Sequence, residues 1–135
     1  MKYALDTNTL SYWLQGNTSI AERISRAILH EDEIIIPPVA YYEILRGFKH
    51  KPAPKKEAAF SLICSTYGIG DMGIESWEHA AGIYGTSRKE GKPIEDTDIL
   101  MAAFCFVNGC TLVTNNAKHF DGIEGLHLEN WAENP

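Results

Sequence analysis

Short apolar runs alternate along the chain with longer segments whose apolar residues recur every three or four positions. Residues 2–5, 34–36 and 111–114 are runs of the first kind. Their length and their β-branched or aliphatic side chains predict buried strands, whereas the longer periodic segments predict amphipathic helices. Strands that alternate with helices in this way predict an α/β fold. We expect three layers, with helices flanking a central, mostly parallel sheet of short strands.

Six helical segments are predicted around these strands. They run from a cap at Thr7 or Asn8 to about Gln15, from Thr18 or Ser19 through Ile28, from Pro37 and Pro38 past Phe48, and over residues 55–66, 75–89 and 97–107. The last of these is apolar on nearly every side, which is typical of a helix packed in the middle of a domain. A loop is predicted over residues 115–122, and a final edge strand over residues 126–128.

Length and composition are those of a single globular domain covering residues 1–135, with 44% hydrophobic and 22% charged residues. No apolar stretch is long enough to span a bilayer, and the first residues lack the pattern of a signal peptide. We therefore expect no membrane association and a cytoplasmic location. The spacing of Cys64, Cys105 and Cys110 matches no metal-binding motif, which predicts buried, reduced thiols.

Three carboxylates stand beside apolar runs in separate parts of the chain. Asp6 follows the first strand, Glu43 lies within the third helix, and Asp98 begins the most apolar helix. A buried carboxylate is costly to ionise without a partner. If the three converge, they can share a hard cation such as Mg²⁺ or Mn²⁺. Asn116 follows the strand at residues 111–114, so it is expected at the same edge of the sheet as Asp6, where it could supply a neutral oxygen.

Each of these residues also has a simpler interpretation. Asp6 could do no more than cap the following helix, and Glu43 could form only a surface pair with Arg46. Asn116 could serve a turn.

The acidic cluster around Asp98 is only partly explained by helix capping. Asp96 or Thr97 is the expected N-cap of that helix. One cap accounts for one acid at most, so it leaves the others, Glu95 among them, without a structural reason.

Four segments, in order along the chain, carry a resemblance to a known family: YALDTNTLSYWL, IIPPVAYYEILRG, GKPIEDTDILMAA and CTLVTNNAKHFDGIEGLHLENW. Their order and spacing resemble those of the PIN-domain ribonucleases of the VapC group, the toxin half of bacterial type II toxin–antitoxin pairs. The resemblance implies that Asp6, Glu43 and Asp98 are the catalytic residues and bind Mg²⁺ or Mn²⁺. Asn116 occupies the position where the family often has a fourth acid, so a second ion is left open.

The same resemblance implies a metal-dependent endoribonuclease that acts on tRNA, rRNA or mRNA, forms a homodimer and is bound by a cognate antitoxin. The alternatives are a non-catalytic PIN module that binds nucleic acid or protein, and a housekeeping RNA-processing nuclease. A phosphatase of the haloacid-dehalogenase type is disfavoured, because that chemistry needs a second Asp where this chain has Asn8.

The net charge of −6 argues against indiscriminate binding of nucleic acid. Basic residues are nevertheless concentrated between positions 46 and 56. Arg46 and Lys49 in this cluster, together with Lys118 beside Asn116, are the candidate contacts to RNA phosphates. The alternative is an ordinary solvated helix end.

Overall fold

The computed structural model describes residues 1–132, so the last three residues of the predicted domain lie outside it. Its strands are β1 (Lys2–Leu5), β2 (Glu33–Ile35), β3 (Thr111–Val113) and β4 (Leu128–Glu129). They form a sheet in the order β2-β1-β3-β4, in which every neighbouring pair is parallel. The predicted α/β fold is confirmed, and the described sheet is wholly rather than mostly parallel.

The helices are α1 (Thr7–Leu14), α2 (Thr18–Leu29), α3 (Pro38–His50), α4 (Pro54–Tyr67), α5 (Ile74–Lys89) and α6 (Asp96–Asn108). All six predicted helices are therefore present. The predicted loop contains a short 3₁₀ turn at Ala117–Phe120. The last strand begins two residues later than predicted, because the N–H groups of Leu112 and Thr114 bond to the carbonyls of His127 and Glu129.

Two helix caps differ from the prediction. Asp6 itself is the N-cap of α1, since its carboxylate accepts a hydrogen bond from the backbone N–H of Thr7. At the start of α6 the cap position belongs to Glu95, whose side chain makes no capping hydrogen bond, rather than to Asp96 or Thr97. The acids at the start of α6 therefore remain unexplained by capping.

The buried centre of the molecule is α6, as its apolar sequence predicts. Ile99 and residues 101–105 are buried, and α6 packs against α3, α5 and β3. Cys64, Cys105 and Cys110 are buried free thiols, which confirms that prediction. Within residues 1–132 no helix combines the length and apolarity needed to cross a bilayer.

The strand order places a crevice at the carboxyl end of β1. Its two neighbours, β2 and β3, lie on opposite sides, so the chain changes direction across the sheet at this strand. Ligands of open parallel sheets bind outside the carboxyl ends of the strands at such a point. The N–H of Asp6 donates to the carbonyl of Val113 at 2.9 Å, which keeps the ends of β1 and β3 together.

Gly70→Ala tests the packing of the core against the sheet. An added Cβ would lie 2.4 Å from Cζ of the buried Phe104 ring, while the N–H of Gly70 bonds to Ile36. We expect a loss of about 1–3 kcal/mol of unfolding free energy, because the overpacked ring must shift. Urea denaturation followed by circular dichroism measures it. Gly82→Ala is the control, since its Cβ meets no atom within 4 Å; equal losses in both variants would contradict the packing argument.

Candidate functional site

Asp6 is held at the carboxyl end of β1 by two short hydrogen bonds. Its Oδ1 accepts from the backbone N–H of Thr7 at 2.7 Å, and its Oδ2 accepts from the hydroxyl of Thr114 at 2.6 Å. Only 8% of the residue is exposed. Burial raises the pKa of the Asp6 carboxyl group, although both hydrogen bonds act in the opposite direction. Asp6 is thus more than a helix cap: it is an oriented, buried acid whose ionised form a bound cation would stabilise.

Glu43 reaches the same edge of the sheet from α3. The hydroxyl of Thr7 donates to its Oε1 at 2.7 Å, and Nη2 of Arg46 lies 3.3 Å from its Oε2. The expected pair with Arg46 therefore exists, but the Arg46 side chain is 55% exposed, so the pair contributes little to stability. The bond from Thr7 is the informative one, because it ties Glu43 to the residue directly after Asp6.

Asp98 approaches from the first turn of α6. Its side chain is 20% exposed, and its Oδ2 lies 3.5 Å from Nδ1 of His119. The pKa of Asp98 is raised to about 6, mainly by burial; His119 acts to lower it, and the carboxylates of Asp6, Glu95 and Glu43 add to the increase. Three acids from separate segments therefore lie close enough for their charges to interact.

The donor set at this edge of the sheet suits a hard divalent cation. Asp6, Glu43 and Asp98 offer only carboxylate oxygens, which are the ligands that Mg²⁺ and Mn²⁺ prefer. In the part of the chain that the structure describes, no three Asp, Glu, His or Cys side chains are grouped closely enough to hold an ion by themselves. Mg²⁺ commonly takes one or two carboxylates from a protein and keeps several waters. The residues fit such a partly hydrated ion.

The end of β3 carries two asparagines with different surroundings. The backbone N–H of Asn116 donates to Oγ1 of Thr114 at 3.0 Å, so Thr114 connects Asn116 to Asp6. Among residues 1–132 the side chain of Asn116 forms no hydrogen bond with the three carboxylates, so its role as a ligand stays a prediction. Oδ1 of Asn115 is buried and has no hydrogen-bond partner within the same residues, an uncommon situation that calls for an explanation such as a bound water or ion.

The predicted substrate contacts occupy three different places. Arg46 lies against Glu43, and its guanidinium carbon is 5.3 Å from the centre of the Tyr42 ring. Lys118 lines a cleft of about 300 Å³ together with Asp98. Lys49 is exposed in the last turn of α3. Two of the three basic residues therefore lie beside the candidate carboxylates.

Two threonines belong to the site although the sequence pattern assigned them no part in it. Thr7 was expected only as a helix cap and Thr114 only as the end of a strand. Each hydroxyl instead donates to a candidate carboxylate, Glu43 and Asp6 respectively. Their positions in the sequence could have indicated this role, since Thr7 directly follows Asp6 and Thr114 lies two residues before Asn116.

Asp98→Asn is expected to raise the melting temperature in metal-free buffer at pH 7. Folding raises the pKa of Asp98 from 3.8 to about 6, so the folded state binds more protons than the unfolded state between these values. Stability therefore falls as pH rises through that window and stays low above it. The amide removes this dependence, and we expect a gain of a few degrees. Thermal unfolding followed by circular dichroism from pH 4 to pH 8 measures it.

The same assay tests the candidate metal. Adding Mg²⁺ at pH 7 should raise the melting temperature of the parent protein and have a much smaller effect on Asp98→Asn. Glu22→Gln, which removes an exposed carboxylate on α2, is the control and should respond like the parent. Equal responses in all three proteins would argue against an ion at Asp98.

Comparison with known proteins places the chain in a family. Residues 3–126 match the PIN domain. Ribonuclease VapC1 of Haemophilus influenzae (strain R2866) is 27% identical over 135 residues, which cover 98% of this chain and 100% of that protein. The tRNA(fMet)-specific endonuclease VapC of Shigella flexneri is 25% identical over 134 residues, with 98% and 99% covered. The structure of VapBC2 from Rickettsia felis, bound to a DNA fragment from its promoter, matches with a TM-score of 0.89, 26% identity, and 97% and 99% of the two chains covered. The chain therefore belongs to the PIN-domain family, and it is similar over nearly its whole length to proteins named as VapC ribonucleases.

Proposed function

We propose that this chain is a metal-dependent endoribonuclease and the toxin of a type II toxin–antitoxin pair. The observation that carries the proposal is the meeting of Asp6 and Glu43 at Thr7, at the carboxyl end of β1. Asp98 lies near enough for the charges of both carboxylates to act on it. Carboxylates assembled in this way on a parallel sheet are suited to metal-assisted hydrolysis of a phosphodiester. Relatives named as a ribonuclease and as a tRNA endonuclease support the assignment.

The metal would be held by Asp6, Glu43 and Asp98, directly or through water. Bound there, Mg²⁺ or Mn²⁺ would supply a Lewis acid that polarises a phosphoryl oxygen and acidifies a coordinated water. The protein's own contribution is orientation. Thr114 and the N–H of Thr7 fix the two oxygens of Asp6, and these hydrogen bonds keep that carboxylate in place before substrate arrives.

The substrate is proposed to be RNA, of which tRNA, rRNA and mRNA are the candidate classes. A chain with a net charge of −6 needs local positive charge to approach a polyanion. Arg46 lies beside Glu43, and Lys118 lies in the cleft that contains Asp98. In this proposal both would contact phosphates near the carboxylates, and Lys49 would extend the same positive charge along α3.

The proposed partners are a cognate antitoxin and a second copy of the chain. The antitoxin is supported by the similarity to a VapBC2 structure at 26% identity. The homodimer and a cytoplasmic location rest on the family resemblance and on the composition of the chain. Light scattering of the purified protein measures the oligomeric state, and a monomer at micromolar concentration would argue against the dimer.

A non-catalytic PIN module is the second candidate. Asn116 favours it, because this residue stands where the family often carries an acid, and within residues 1–132 its side chain forms no hydrogen bond with the carboxylates. Cleavage assays separate the two functions.

Asp6→Asn and Asp98→Asn are each expected to lower the rate of RNA cleavage by at least about 100-fold, because a change in the immediate environment of a metal usually costs 10–100-fold even when it is indirect. The assay is incubation of purified protein with total cellular tRNA and rRNA in Mg²⁺, with ends mapped by primer extension. Asp71→Asn, at an exposed acid, is the control. Full cleavage by both site variants would refute the metal-dependent mechanism, and no cleavage by the parent would favour the non-catalytic module.

Thr7→Val should lower cleavage by about tenfold while leaving the melting temperature nearly unchanged, because Glu43 loses the hydroxyl that orients it but the volume is preserved. Thr7→Ser keeps the hydroxyl and should restore most of the rate. If both variants behave alike, Thr7 does not position Glu43. The ratio of kcat between the two variants is the deciding measurement.

A further inference from the structure

A groove of about 350 Å³ lies beside the candidate site and is lined by residues of α1, α3 and the start of α4. Thr7 and Glu43 line it, which makes it continuous with the carboxylates. Lys51, in the connection between α3 and α4, and Lys56, in the first turn of α4, line it as well. The groove therefore combines an acidic part at the site with a basic part away from it.

The floor of this groove is left open by Gly47. This residue lies four positions after Glu43, on the same face of α3. A glycine inside a helix is unfavourable compared with alanine. Its φ is not positive, and an added Cβ would meet no atom within 4 Å, so neither backbone nor packing requires glycine here. Gly82 and Gly85 of α5 share these properties. What distinguishes Gly47 is its place, because a side chain there would project into the groove beside Glu43.

The wall of the groove is apolar and partly aromatic. Phe48 and Leu14 line it and are half-buried. The Phe48 ring is held edge-on against Phe60, with centroids 6.2 Å apart and an interplanar angle of 61°. A fixed aromatic side chain beside open space is the usual contact surface for an unpaired base.

The two lysines are available for a ligand. Within residues 1–132, neither Lys51 nor Lys56 forms an ion pair, whereas Lys2, Arg23 and Arg46 each do. Both lysines are exposed. Unpaired ammonium groups that line a groove also bounded by a carboxylate match the repeating negative charge of a nucleic acid strand rather than a neutral or basic ligand.

We propose that this groove binds the nucleotide of single-stranded RNA next to the cleaved phosphate. The base lies over Gly47 against Phe48, and the following phosphate is bound by Lys51 and Lys56. The volume falls within the range of about 300–1,000 Å³ typical of small-ligand sites and suits one nucleotide. The inference rests on the proposed function, because it takes the scissile phosphate to lie at the carboxylates.

The first test fills the groove. Gly47→Leu should raise the Kd for a fluorescein-labelled, random-sequence single-stranded octaribonucleotide about tenfold, because the base loses its contact surface. Anisotropy measures binding in an Asp6→Asn background with Mg²⁺, where hydrolysis is blocked. Gly85→Leu is the matched control in another helix and should bind like its parent. A melting temperature of Gly47→Leu no lower than that of the parent shows that the fold is intact.

The second test removes the positive charge. The double variant Lys51→Gln with Lys56→Gln should bind the same octaribonucleotide about tenfold more weakly. It should also lower the slope of log K against log salt concentration by about 1.4, since each phosphate contact on a single strand contributes about 0.7. Lys55→Gln with Lys89→Gln changes the net charge equally at residues outside the groove and should keep the parent slope.

The proposal is overturned if Gly47→Leu and the double lysine variant bind RNA as tightly as their controls and the double variant keeps the parent salt slope. The groove would then be left to a protein partner. This failure is distinguishable from failure of the proposed function. If the parent cleaves RNA and Gly47→Leu cleaves it equally well, the proposed nuclease function stands and the nucleotide site is refuted. If the parent binds RNA through Gly47 and the two lysines but cleaves none, the nucleotide site stands and the nuclease function is refuted.

Discussion

The hydrogen bond between Thr114 and Asp6 is the contact on which the candidate site depends. It joins residues 108 positions apart at 2.6 Å, and two further bonds accompany it: Asp6 N–H and the hydroxyl of Thr9 both donate to the carbonyl of Val113. Together they hold the start of α1 against the end of β3. Only with α1 in this place can Thr7, at its first position, reach Glu43 on α3.

Assembling these acids works against stability in the absence of a cation. Burial raises the pKa of both Asp6 and Asp98, the charge of Glu43 acts in the same direction on both, and the charge of Asp6 acts in that direction on Asp98. The same arrangement favours binding of a divalent ion, because the ion stabilises the charged forms that burial disfavours. On α3 this acidic centre lies next to a basic region, since Glu43 is one turn before Gly47 and the helix ends at His50, directly before Lys51. One helix thus combines the charge that suits a metal with the charge that suits a phosphate chain.

The elements of the fold were predictable because their signals are local. The β-branched run at residues 34–36 and the periodic apolar residues of α2 identify their own secondary structure without reference to the rest of the chain. Boundaries were less predictable where a distant partner decides them. The last strand extends to Glu129 rather than ending at residue 128, because its register follows the N–H groups of β3. A cap such as Asp6 depends on where the preceding strand ends, which periodicity does not show.

By itself the sequence determined which side chains are the candidates for the chemistry: carboxylates at positions 6, 43 and 98 have no reason to stand beside apolar runs unless they meet. The tertiary structure alone decided how they meet. Thr7 and Glu43 are 36 positions apart, and Asp98 and His119 belong to different elements. Contacts of this kind arise when the sheet and helices pack, and no local pattern of hydrophobic and polar residues encodes a hydrogen-bond partner a hundred positions away.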